Sequence, residues 1–174
     1  TVPVVEGDVG HKVFLYFGAS GLSTQPDVTV DYSDRATGDH FGQVLRGVGD
    51  LNGDGTDDFL VGDTFSSYGG GSLFPPDPTG GGFFGALFVH FGDADASPTF
   101  DAPDQALAVP QVEPVSGGGV RVNVGFGFQG IAVGDFNGDD TTDVAAKPFQ
   151  SSLSTTGNGA MALRVFHGGS DFDG

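Results

Sequence analysis

The stretch that decides the fold is FGQVLRGVGDLNGDGTDDFLVG, residues 41–62. Its centre sets oxygen-bearing side chains at every second position, Asp50, Asn52 and Asp54, and Asp58 closes the run. A hard cation such as Ca²⁺ takes about six to eight oxygens at short range, so its ligands must come from several positions of one tightly curled loop. Alternation supplies that curl: Asp50, Asn52 and Asp54 point inward, Gly53 and Gly55 permit the turn, and the Thr56 carbonyl offers a further oxygen. Three carboxylates a few ångströms apart repel by roughly 4 kcal/mol per pair at an effective dielectric near 20. A cation between them removes that cost; without one, the same residues make only a solvated acidic turn.

The pattern recurs 85 residues on, in residues 126–143. Phe41 and Gly42 correspond to Phe126 and Gly127, and Val48 and Gly49 to Val133 and Gly134. Asp50, Asn52, Asp54, Thr56 and Asp58 correspond to Asp135, Asn137, Asp139, Thr141 and Asp143. Two unrelated turns would not share their flanks as well as their ligands, so the chain carries an internal repeat. An EF-hand needs a bidentate Glu at the twelfth position and helices on both sides. Val61 and Ala146 stand there instead, and the short apolar, partly β-branched flanks at 44–48 and 59–61 suit strands. The expected site is therefore strand–loop–strand.

Phe41-Gly42, the run Gly49-Asp50-x-Asn52-Gly53-Asp54-Gly55-x-x-Asp58 and the following Leu60-Val61-Gly62 resemble the FG-GAP repeat, the blade unit of the integrin alpha-subunit β-propeller. The resemblance covers both repeats. It departs after the loops, where Gly62-Asp63-Thr64 and Ala146-Lys147-Pro148 replace the family's usual Gly-Ala-Pro. What it implies is an all-β fold of tandem β-propeller-type blades with antiparallel sheets, about two units plus an extra N-terminal strand. The expected division is 1–26, a strand completing a neighbouring unit; 27–100, a blade with calcium loop 50–58; and 101–174, a blade with calcium loop 135–143.

A second periodicity agrees with the first. Apolar segments at 12–18, 85–92 and 161–168 end in Gly18, Gly92 and Gly168, at spacings of 74 and 76. They are expected to be the strand following each calcium hairpin, with the closing Gly supplying a positive φ. Outer-strand candidates are 28–32, then 106–109 or 120–124. A unit thus reads as inner strand 44–49, calcium loop, second strand 59–61, glycine-rich connector, third strand 86–91 and outer strand. Three inserts stand apart, at 66–85, 116–119 and 151–159. The first is long for a connector, and its Tyr68, Phe74, Phe83 and Phe84 are expected to form a contact surface. Ser151, Ser152, Ser154, Thr155 and Thr156 are compatible with O-linked sugar.

The 174 residues include 32 Gly and 17 Phe, with no Trp and no Cys, which favours a β-rich, turn-rich chain over a helical bundle. The formal net charge is −17, and every acidic residue except Glu6 and Glu113 is Asp. Six Lys and Arg cannot neutralise many phosphates, so nucleic acid is excluded as a partner. There is no disulfide framework, and no apolar run approaches the ~20 residues of a membrane span. The chain opens at Thr1 without Met and reads as a mature or trimmed product. Oxygen-ligand calcium loops of this kind point to an extracellular or cell-surface setting, where calcium is millimolar.

No catalytic motif is present: there is no H-E-x-x-H, no G-x-S-x-G and no phosphate-binding glycine loop. His90 and His167 are expected at nearly equivalent ends of the repeated strand, and Arg46 and Arg164 at solvent-facing strand positions. The leading expectation is a non-enzymatic structural, adhesion or assembly protein with two Ca²⁺ sites. Its expected partner is a protein: the chain reads either as a fragment of a longer propeller or as a subunit that joins head to tail into a homo-oligomer or filament. The alternatives are a carbohydrate-binding module with a glycan partner, or a non-catalytic fragment of a larger secreted enzyme.

Overall fold

The structure, a computed structural model, describes residues 12–18, 24–31, 40–68, 80, 82–94, 100, 102–115, 119–153 and 163–170. All regular structure among them is β. The strands are β1 (Lys12–Leu15), β2 (Val28–Asp31), β3 (Phe41–Gly49), β4 (Asp58–Tyr68), β5 (Phe83–His90) and β6 (Gln105–Leu107). There follow β7 (Val112–Val115), β8 (Gly119–Phe126), β9 (Ala132–Gly134), β10 (Asp143–Ala146), β11 (Pro148–Leu153) and β12 (Arg164–Phe166). Every strand pair is antiparallel. No helix among the described residues is long and apolar enough to cross a membrane.

Four sheets result: β1–β2, β3–β4–β5–β6, β9–β10–β12 and β7–β8–β11. They do not close into a ring among the described residues. The four-stranded sheet follows the expected order of inner, second, third and outer strand. Strands β2 and β6 hydrogen-bond to β1 and β5, so the sheets span the positions 26/27 and 100/101. Register repeats with the sequence. Phe41 pairs with Asp63 and Gly49 with Asp58; 85 residues on, Phe126 pairs with Pro148 and Gly134 with Asp143.

The repeats differ beyond the loop. In the first, β4 runs on from Asp58 to Tyr68, with a register shift between Asp63 and Ser67. In the second, the chain breaks at Lys147 and continues as β11, which joins β8 and β7 in a separate sheet. Residues 120–124, an outer-strand candidate, lie in β8 of that sheet; β6 is the outer strand.

The middle sheet has apolar packing on both faces, which is why β5 reads as a nearly unbroken apolar run. One core joins Val13 and Val30 of the first hairpin to Phe41, Val61, Phe88 and Ala106. The other joins Leu60, Leu87, Val89 and Leu107 to Phe126, Val144 and Ala146 of the second repeat. Phe83, expected on an exposed contact surface, is buried in the first of these cores, because β5 starts two residues earlier than the connector was expected to end. Phe74 and residues 154–162 lie outside the described residues, as do the Tyr68 and Ser151 to Ser152 side chains.

Candidate functional site

Both acidic loops connect an inner strand to the second strand of its sheet, β3 to β4 and β9 to β10. Asp50 leads the first loop. Its Oδ1 accepts the N–H groups of Gly53 at 2.8 Å and Asp54 at 3.0 Å, and its Oδ2 accepts that of Gly55 at 2.8 Å. Asn52 Oδ1 also accepts from Asp54 N–H, and Asp54 Oδ1 accepts from Thr56 N–H. The Asn52 amide donates to Asp54 Oδ2 at 2.9 Å. Asp58, buried at the head of β4, accepts from Leu51 N–H and from Gly92 N–H, both at 2.7 Å. One carboxylate therefore ties the loop to its own start and to the end of the third strand.

The second loop repeats all eight bonds at the corresponding residues. Asp135 accepts from Gly138, Asp139 and Asp140; Asn137 from Asp139; Asp139 from Thr141 and the Asn137 amide; Asp143 from Phe136 and Gly168. Each set of positions is brought into one curled loop.

Electrostatics follows from the same bonds. The Asn52 amide and the Thr56 N–H hold Asp54 below the usual carboxylate range, and Asn137 and Thr141 do the same for Asp139. Burial pushes Asp58 up, against the opposing pull of the Gly92 and Leu51 N–H groups. Burial pushes Asp143 the same way, but the N–H groups of Phe136 and Gly168 and the neighbouring His167 together outweigh it, and its pKa ends below the ordinary value.

The donor set is hard oxygen, the chemistry Ca²⁺ or Mg²⁺ requires. An ionised carboxylate has about four lone-pair sites. Asp50 uses three on backbone N–H groups and Asp58 two, so neither carboxylate is saturated. In the hydrogen-bonded arrangement, no group of three or more His, Cys, Asp or Glu side chains is gathered at metal-binding range among the described residues. The chemistry of the residues fits a hard cation, although the described residues do not form a gathered shell of carboxylates. The first loop opens on a cleft lined by Asn52, Gly53, Asp54, Phe91, Gly169 and Ser170.

Several residues differ from expectation. Gly92 and Gly168 do not take positive φ. What requires glycine there is close approach: a Cβ on Gly92 would overlap the Asp57 carbonyl, and one on Gly168 would overlap the Thr142 carbonyl and crowd that of Leu51. Gly18, with no acidic loop beside it among the described residues, has open space at the same point. His90 and His167 are not equivalent. Pairing of Phe59 with His90 and of Val144 with Phe166 puts His90 in the place of Phe166, one residue out of phase with His167. A one-residue offset reverses the face, and His90 is fully buried while His167 is exposed. His90 stacks on Phe59 with ring centroids 4.8 Å apart, and burial lowers its pKa to about 4. His167 Nδ1 lies 3.3 Å from Asp143 Oδ1.

Arg46 is exposed, as expected. Arg164 is not simply solvent-facing: it pairs with Glu113 of β7, which also accepts from the buried Asn123 amide at 2.8 Å. This network links the inserted sheet to β12. Sequence reading also passed over Asp27 and Asp104, whose carboxylates accept the Phe17 and Phe91 N–H groups at 2.7 and 2.8 Å. Each sits just before the strand that returns beside β1 or β5, so an Asp directly preceding each outer strand was the available signal. Compared with known protein families and with characterised proteins, the chain matches none.

Proposed function

We propose that the chain is a calcium-stabilised, non-enzymatic extracellular scaffold of blade-like sheets that acts through protein–protein contacts, in adhesion or assembly. Each loop takes one Ca²⁺, through Asp50, Asn52, Asp54, the Thr56 carbonyl and Asp58, and through Asp135, Asn137, Asp139, the Thr141 carbonyl and Asp143. The observation that carries this reading is the reproduction of eight hydrogen bonds around the same oxygen-bearing positions in two loops of one chain. A bound cation draws the carboxylates of each loop together and supplies the positive charge they lack. It also stiffens the hairpins that carry the strand ends.

Thermal unfolding in calcium and in chelator tests this. A ligand that binds only the folded state stabilises it by about 2.7 kcal/mol per site at a hundredfold excess over its Kd. The melting temperature is therefore expected to rise by several degrees in calcium; coincident curves would reject the reading. A glycan-binding module is the second reading, favoured by one observation. Phe65, Phe128 and Phe149 cluster with centroids 4.8 to 6.0 Å apart, and Phe149 is exposed. Reproducible hits on a glycan array would favour it.

A further inference from the structure

Strands β1, β5 and β12 are the same repeat element, and comparing their two faces residue by residue exposes a pattern in the packing. Hydrogen bonds fix the alignment. Asp27 and Asp104 cap Phe17 and Phe91 alike, placing Val13 and Leu15 with Leu87 and Val89. The register of β4 with β5 and of β10 with β12 then places Leu87 and Val89 with Leu163 and Val165. Alternation puts each pair on one face, and the pairs Phe14/Tyr16, Phe88/His90 and Arg164/Phe166 on the other.

Among the described residues these faces meet in one sense only. Val13 and Leu15 pack into the core that holds Phe88 and the aromatic neighbours of His90. Leu87 and Val89 pack into the core that takes Phe166. Among the described residues, one face of each kind is left over. Phe14 and Tyr16 are 52% and 49% exposed, whereas Phe88 and His90 are at most 2% exposed. Leu163 and Val165 are 61% and 42% exposed, whereas Leu87 and Val89 are fully buried. Phe136 in the second loop is half exposed, and its counterpart Leu51 is fully buried under the second repeat.

We propose that the Leu163/Val165/Phe136 face of one copy packs on the Phe14/Tyr16 face of a second copy, continuing the internal stacking head to tail. The occupant is a second copy because each open face is the repeat-equivalent of one half of an interface the chain already makes with itself. Contacts of this heterologous kind close into rings or extend as filaments. This deepens the assembly reading above and is independent of whether the loops bind calcium. With −17 charges on each copy, association should strengthen as salt screens their repulsion.

The test is sedimentation of the full chain over a concentration series, with Phe14→Asp and Val165→Asp. Wild type should exceed its 17.7 kDa monomer mass as concentration rises. Each variant alone should stay monomeric, because a carboxylate in an apolar contact weakens association by at least about tenfold. Each variant retains one intact face of opposite kind, so their equimolar mixture should form a 1:1 dimer and nothing larger. A monomeric wild type, a variant that still assembles alone, or a mixture that fails to pair would each overturn the proposal. Both positions are exposed, so melting curves should match wild type; Tyr16→Asp and Leu163→Asp provide a second pair should either variant misfold. Calcium-dependent melting measured on the same samples separates the two readings, since assembly can fail while calcium stabilisation persists, and the reverse.

Discussion

In the first acidic loop the sixth position is Gly55, at φ 91°; in the second it is Asp140, at φ 65°. The residue that follows the third strand is Phe91 beside the first loop and His167 beside the second, where its ring reaches Asp143 at 3.3 Å and the Asn137 amide at 3.4 Å. Asp58 is pushed up by burial, and Asp143 ends below its ordinary value. Leu51 is roofed by the second repeat, and its carbonyl accepts Gly169 N–H at 2.8 Å; Phe136 projects into solvent. The same eight hydrogen bonds thus survive on different surroundings. What they require is the Asp-x-Asn-x-Asp spacing, the buried aspartate and the closely approaching glycine. What varies is the sixth position and the side chain that covers the loop.

The largest expected effect probes the element the loops share. Gly168→Ala forces a Cβ into the Thr142 and Leu51 carbonyls and disturbs the N–H bond to Asp143. Overpacking together with a lost part-buried hydrogen bond should cost about 4 kcal/mol in a urea unfolding series. Gly92→Ala meets only its own loop and should cost about 3 kcal/mol. If Gly168→Ala proves the milder of the two, the Leu51–Gly169 contact does not join the repeats as described.

Next comes the histidine that falls one residue out of phase. The folded pKa of His90 is depressed to about 4 by burial, while its unfolded value is about 6.5. The unfolded chain therefore binds the proton first, and stability is lost as pH falls from about 6.5 to about 4 and levels off below. Roughly 3 kcal/mol is at stake over that window. His90→Phe installs the residue that β12 carries at the same place, Phe166. It should flatten stability against pH in this range, whereas a substitution at exposed His167 should leave the His90 slope in place. An unchanged slope in His90→Phe would show that other groups set the acid sensitivity.

The smallest effect separates the loops most finely. A non-glycine residue in the left-handed region costs about 1–2 kcal/mol, less for Asp. Asp140→Gly should therefore stabilise the protein by about 1 kcal/mol in chelator and tighten calcium at the second loop. A weaker second loop after this change would mean that the Asp140 charge matters more than its backbone.

The loops and the four-stranded order were legible in the sequence because a repeated Asp-x-Asn-x-Asp spacing and a strand alternation are both local patterns. Asp50 to Asp58 and Asp135 to Asp143 announce themselves with their flanks. The separate sheet was not legible: the departure at Ala146-Lys147-Pro148 marks the turn after the loop, but no local pattern gives β11 its new partners β8 and β7, whereas β4 runs on unbroken in the first repeat. The phase of His90 was missed because pairing, and not sequence spacing, decides which face a residue takes. The close approach at Gly92 and Gly168 depends on loop carbonyls from elsewhere in the chain, so the sequence could mark the glycines without giving their reason.

Calcium uptake by the full chain decides whether the two acidic loops are metal sites. Native mass spectrometry of the decalcified chain titrated with Ca²⁺ should show two ions bound. Asp50→Ala and Asp135→Ala should each retain one ion, with the first loop filling before the second in wild type. A chain that takes up no stoichiometric calcium, or variants that still bind two ions, would rule out one calcium ion per acidic loop.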